Sequence, residues 1–414
     1  MSDGFGLPPR RELPDDVRDR LRAGLHEGMA KRRPSRVWYA AAAAVLVLAV
    51  GAVVVTRQLR QPADVPPAVP NGLKLDGALA KTALDRCWAA VQAEGKTGRV
   101  APREDWVPLF TDELGGDAVV AATAAGKPMF CETTGTTVTL SDPAATPAYA
   151  PGSRSGLLLR SATGLVGGVL DPGWKKASFA VLTPRGSSGN DLEASPVSRQ
   201  FAAFTRVASD QARFALIDTG AGPPRQVDLP AAPAPLLAVT DRPEPADRTS
   251  TAGRVLGDCL ADAEEAVPDA AAYRPGPLLQ EDGYQVIMGR RGDRVIVCTR
   301  EPDYQRPGRT QARAYPDLMG DRRAAARHLS VSTLGATEAG GEPGRSRTPF
   351  AAVVPSTAAG VSVGFGGGMS AEGVVVDGMF VVWVPKERPW TGVTVNVVAR
   401  DVRGAVVYEG ELPL

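Results

Sequence analysis

The chain has 414 residues, with 47 lysines and arginines against 46 aspartates and glutamates and a net charge of +1. A charge so evenly balanced sets up no long-range field of one sign, which excludes the basic footprint expected of a nucleic-acid partner. With 45 glycines, 36 prolines and only 6% aromatic residues, the composition predicts many turns and short strands.

The N-terminal segment 1–36 reads as a cytoplasmic tail. Val17, Leu21, Leu25 and Met29 recur every four residues, with Asp15, Asp16, Arg18, Asp19, Arg20 and Arg22 among them. That spacing predicts a short amphipathic helix, with Pro14 and the aspartates suited to its first turn. An isolated helix of this length is marginal in water, so either its apolar stripe rests on a lipid surface or a cytoplasmic protein, or the segment is a disordered basic leader. If it holds a partner, changing Leu21 and Leu25 to Asp abolishes capture of that partner in a pull-down. No partner for the wild-type tail would contradict this reading.

From Val37 to Thr56 the sequence VWYAAAAAVLVLAVGAVVVT carries no charge. As a helix it is about 30 Å long, the thickness of a bilayer's hydrocarbon core. Lys31, Arg32, Arg33 and Arg36 crowd its N-terminal edge, with Arg57 and Arg60 beyond it, and basic residues favour the cytoplasmic side. A single uncleaved span in the cell membrane is therefore expected, N-terminus inside and the bulk of the chain outside, raised on a stalk, 57–76.

The outer region reads as two copies of one module, 77–220 and 250–414, joined by a proline-rich linker, 221–249. GGDAVVAATAAGKPMFCET overlays EDGYQVIMGRRGDRVIVCTR, placing Val119 on Val286 and Val120 on Ile287. Further on, Phe179 is matched with Phe350, Phe201 and Phe204 with Phe380 and Trp383, and Asp218 with Asp401. Each module opens with a helical pattern: Leu84, Cys87, Trp88 and Val91 in one, Leu256, Cys259, Leu260 and Ala263 in the other. A hairpin and short alternating strands follow. The expected fold class is thus α+β, a transmembrane helix followed by two modules, each a helix plus hairpin and a small antiparallel sheet or sandwich.

Four cysteines allow three pairings. Because two copies of one module should close the same internal bridge, Cys87 is expected to pair with Cys131 and Cys259 with Cys298, in keeping with an oxidising exterior.

Motifs that suggest chemistry have plainer explanations. Ala90–Thr97, AVQAEGKT, fits a loose phosphate-loop pattern but ends a helix instead of opening one. Arg291–Gly292–Asp293 spells an adhesion tripeptide where a tight hairpin turn needs glycine. The glycine-rich Gly364–Ser370 lacks nucleophile-elbow spacing. Asp262, Glu264 and Glu265 read as a solvated helix face, and His26 and His328 are the only imidazoles, too few for a metal centre. No catalytic residue, cofactor or metal ligand is predicted.

The run LPDDVRDRLRAGL, then KRRPSR and an alanine-valine span, resembles actinobacterial single-pass membrane proteins, including membrane-bound anti-sigma regulators. The resemblance covers the first sixty residues and implies a cytoplasmic segment holding a transcription factor below an envelope-sensing domain. The sequence as a whole predicts an envelope protein whose outer modules bind a protein or glycan without catalysis. The alternative is a transmembrane signalling regulator acting through Val17, Leu21, Leu25 and Met29.

Overall fold

In a computed structural model the described residues are 73–183, 186–207, 212–220, 224–303, 308–317, 326–329, 331, 348–385 and 394–413. The predicted tail helix with Val17, Leu21, Leu25 and Met29, and the charge-free run 37–56, lie outside them. Among the described residues no helix is long and apolar enough to cross a membrane.

Asp76 starts the first helix, α1 (Gly77–Ala93), by accepting from the amides of Ala78 at 2.9 Å and Leu79 at 3.0 Å, which satisfies two otherwise orphan donors. The end of the expected stalk, Leu73–Asp76, is docked rather than free: the Thr111 amide donates to the Lys74 carbonyl at 2.8 Å and the Asp76 amide to the Thr111 hydroxyl at 2.9 Å. One face of α1 buries Ala80, Ala83, Leu84, Cys87, Ala90 and Val91.

Among the described residues twelve strands follow before the second helix. They are β1 (Trp106–Leu114), β2 (Asp117–Ala124), β3 (Lys127–Thr133), β4 (Thr137–Leu140), β5 (Gly156–Arg160), β6 (Leu165–Val169), β7 (Ala177–Thr183), β8 (Gly186–Leu192), β9 (Gln200–Phe204), β10 (Arg213–Asp218), β11 (Arg225–Leu229) and β12 (Leu237–Thr240). They form three antiparallel sheets in the orders β1-β2-β3-β4-β12, β5-β6-β9 and β11-β10-β7-β8.

The helix α2 (Thr251–Asp262), capped by Ser250, opens the second half. After it come β13 (Arg274–Glu281), β14 (Tyr284–Arg291), β15 (Arg294–Pro302), β16 (Thr310–Pro316), β17 (Arg327–Leu329), β18 (Pro349–Val353), β19 (Gly360–Gly366), β20 (Met369–Val374), β21 (Met379–Trp383), β22 (Thr394–Arg400) and β23 (Val406–Pro413). Their sheets are β13-β14-β15-β16, β17-β18-β21 and β20-β19-β22-β23. Strand for strand this repeats the first half, with β12 as an addition.

Each half stacks a helix and three sheets. In the first, alternate residues of β2 serve opposite faces: Val120 and Ala122 pack with Leu84, Cys87 and Val91 of α1, whereas Val119 and Ala121 pack with Leu159 and Leu165. A sheet covered on both faces needs a continuous apolar run, which β2 supplies. Phe201 and Val166 then meet Phe179, Phe214 and Leu216 of the third sheet. In the second half Ile287 and Ile296 face α2, while Val286, Met288, Val295 and Val297 face β17, β18 and β21.

The disulfides tie helix to sheet in both halves, Cys87 to Cys131 on β3 and Cys259 to Cys298 on β15, with Cα atoms 6.3 and 6.1 Å apart. Val120 lies opposite Cys131, and Ile287 opposite Cys298.

Three expectations are corrected. The α+β class is overturned: with only two α-helices among the described residues and six antiparallel sheets, the fold is mostly β. The helical periodicity is real but confined to the opening of each half, and the β-branched, turn-punctuated remainder pairs as strands. Second, the proline-rich stretch 221–249 is not linker throughout, since β11 pairs with β10 and β12 with β4, which leaves 241–249 as the connection to α2; its prolines flank two short edge strands, where a missing amide costs no ladder bond. Third, Phe179 on β7 occupies the place of β19, so its match with Phe350 on β18 is one strand out of step.

Candidate functional site

The two halves meet at a buried ionic junction built around two aspartates. Asp269 lies between α2 and β13 in a left-handed conformation, φ 57°, which non-glycine residues other than Asn and Asp seldom adopt. Its carboxylate enters the β3–β4 turn of the first half. It accepts from the Thr134 hydroxyl at 2.5 Å, the Gly135 amide at 3.0 Å, and the Thr136 amide and hydroxyl at 3.0 and 2.6 Å. Arg291 Nη1 adds a fifth bond at 2.7 Å, and the Asp269 side chain is fully buried. Burial alone would raise its pKa, but the threonine hydrogen bonds and the Arg291 charge outweigh it and hold the carboxyl below its ordinary value.

Arg291 also grips Glu244 with two nitrogens, at 2.8 and 3.0 Å, the fork geometry that suits guanidinium to carboxylate. Behind the same turn Arg86 of α1 pairs with Asp241 at 2.7 and 2.6 Å and donates to the Thr134 carbonyl at 2.5 Å. The second aspartate, Asp117 on β2, receives Arg294 of the second half and Arg206 of the first, each at 3.0 Å. Burial pushes the Asp117 pKa up, against the pull of Arg294 and Arg206.

Two glycines make room for these arginines. A Cβ at Gly135 would collide with the Arg291 guanidinium, and one at Gly116, where φ is +87°, with that of Arg294. Turns of the first half are therefore open where side chains of the second enter.

Beside the junction lies a cleft of about 490 Å³. The β4 end contributes Thr136, Thr137 and Thr139, and the β5–β6 turn Ser161 and Thr163. The segment 235–245 contributes Pro243, Glu244 and Pro245, and the second half Val267–Ala272. Both halves thus line it, and Asp269 belongs at once to the junction and to the cleft.

Glu132 of β3 stands behind the hydroxyls, 1% exposed. Its Oε1 accepts from Thr163 and, at 3.2 Å, from Ser161, whereas Oε2 is buried with no hydrogen-bond partner. Desolvation dominates and raises its pKa to about 7, with Thr163 and Ser161 opposing. Because the folded state holds the proton more tightly than the unfolded chain, stability falls as pH rises from about 4.5 through about 7. Glu132→Gln is expected to raise stability at pH 8 by roughly 3 kcal/mol while changing little below pH 4.5. Urea midpoints of both proteins at the two pH values check this; an equal effect at both would refute the buried-acid assignment.

The residues singled out from sequence are placed as follows. Cys87, Cys131, Cys259 and Cys298 are buried in the two bridges, away from the cleft. Arg291 of the adhesion-like tripeptide is locked in the junction. In AVQAEGKT the helix ends and Lys96 donates to the Leu236 carbonyl at 2.8 Å. His328 stacks on Phe350 at 5.1 Å. Asp262 pairs with Arg300 at 2.6 Å and Glu265 accepts from the Ala314 amide at 2.9 Å, so these acids serve separate structural contacts. Asp117, Glu132 and Asp269 were not predicted. The one signal, and for Asp269 alone, is the run Thr133-Thr134-Gly135-Thr136-Thr137, hydroxyls and free amides around a glycine, which together cradle a carboxylate.

No family model matches the chain, and no curated protein shows significant similarity to it.

Proposed function

We propose that this protein is a membrane-anchored envelope protein whose two outer modules bind a ligand at their junction without transforming it. The observation that carries the reading is the cleft lined by both halves, next to ion pairs that fix one half against the other. Preformed, rigidly held clefts of this size are the usual form of a ligand site. The charge-free run 37–56 and its basic N-terminal flank support the anchor and the N-inside orientation, and two disulfides suit an extracytoplasmic position.

Ala271 is exposed and lines the cleft, so Ala271→Trp can fill it without disturbing the core. A photo-cross-linking residue in place of Thr240, on the same cleft, should form adducts in intact cells with extracytoplasmic species, and Ala271→Trp should remove them. Adducts that persist in Ala271→Trp, or none in the wild-type background, would contradict the proposal.

A further inference from the structure

The proton count along the cleft narrows what it can hold. A hydroxyl has one proton to give and two lone pairs to offer. Thr136 gives its proton to Asp269 at 2.6 Å. Thr134 gives its own to Asp269, so across the 2.8 Å contact between Thr134 and Thr137 the donor is Thr137. Thr163 donates to Glu132, and Ser161 donates either to Glu132 at 3.2 Å or to Thr163 at 2.6 Å. Four lining hydroxyls thus have their protons committed to two buried carboxylates or to one another. At these four, what remains for a ligand is acceptor capacity; Thr139 and Thr240 complete the lining hydroxyls.

Further observations give the same sign. Glu132 Oε2 is buried and unpartnered behind the same wall, and Glu244, though held through both oxygens by Arg291, keeps further lone pairs on the lining. Arg160, the one cation among the described lining residues, has its guanidinium carbon 5.0 Å from the centroid of Phe214, which lines the adjoining cleft with it. Pro243, Pro245, Pro268 and Ala270–Ala272 supply hydrocarbon surface and no aromatic platform on which a sugar ring could stack.

Resting on the binding role proposed above, we propose that the cleft takes an aliphatic primary ammonium, its N–H groups donating to the polarised hydroxyls and its methylene chain lying on the prolines and alanines. The chemistry is shared by a free diamine and by a lysine side chain.

Calorimetric titration of the full-length chain with three ligands of equal chain length tests this: 1,4-diaminobutane, 1,4-butanediol and succinate. The expected order of affinity is diamine, diol, succinate, with the diamine ahead of the diol by at least about tenfold, the worth of one hydrogen bond to a charged group. N-acetyl-lysine methylamide, run alongside, tells the two sources apart, since a site shaped for lysine binds it at least as well as the diamine. Thr163→Val, which keeps the shape and removes the acceptor, should cost about tenfold in diamine affinity; because it also takes a donor from buried Glu132, its melting temperature should fall, and the titration is run well below that temperature so that only folded protein is compared. Ala271→Trp should abolish uptake. Diamine binding no tighter than diol, or unchanged in Thr163→Val, would overturn the assignment. Preference for succinate would overturn the ammonium while leaving a binding cleft, and no uptake of any of the probes, with no adducts at position 240, would overturn both.

Discussion

Replacing Asp269 by alanine should lower the stability of the protein by about 3–5 kcal/mol, the cost of breaking a buried ion pair from one side. The substitution removes the acceptor of five hydrogen bonds at once and strands the Gly135 amide, both threonine hydroxyls and one nitrogen of Arg291. Arg291 keeps Glu244, so its charge is not wholly uncompensated, and the effect belongs toward the lower end of the range. Asp269→Asn keeps an acceptor but not the charge and should lose less. Urea unfolding of the three proteins decides the matter; a loss below about 1 kcal/mol for Asp269→Ala, the scale of a surface pair, would mean that the junction is not formed as described.

Replacing both cysteines of either bridge with alanine should cost roughly 4 kcal/mol by the loop-closure estimate, the separations being 44 and 39 residues. All four cysteines are fully buried, so lost packing adds to the loss of the cross-link. The bridges lie in different halves and share no contact cluster, so the two losses should be close to additive. Guanidinium midpoints of the two double variants and of the quadruple variant measure this. A stability loss of less than about 1 kcal/mol for either double variant would contradict the role given to that bridge.

The parts of the fold that could be read in the sequence are those governed by local pattern. The stripes Leu84-Cys87-Val91 and Leu256-Cys259-Leu260 mark helix faces, and each stripe is buried. The cysteine pairing followed from the likeness of the two halves. The α+β expectation failed because one strong helical signal at the head of each half was given the weight of a whole domain, whereas most other described elements are short strands paired into six antiparallel sheets. The stretch 221–249 hid β11 and β12 because proline and charge mask strands of four or five residues, and β12 pairs with β4, about a hundred residues earlier.

The junction was illegible for a similar reason. Asp269 and Thr134 are 135 residues apart, and Arg294 and Asp117 177; neither aspartate lies in a motif of its own. A lone acid announces nothing until its cradle is next to it. Glu132 is harder still, since a glutamate on an alternating strand ordinarily faces water, and here its side of the strand is covered by the β5–β6 turn.

The central claim is that the second half is seated on the first, with Asp269 in the β3–β4 turn. The Gly135 amide reports on this directly, because it lies in a turn and its acceptor is the Asp269 carboxylate at 3.0 Å. Amide hydrogen exchange of the full-length chain should find Gly135 protected to the level of the flanking strand amides, and that protection should vanish in Asp269→Ala. Exchange at Gly135 at the rate of an open turn, while β2 and β3 remain protected, would contradict the account.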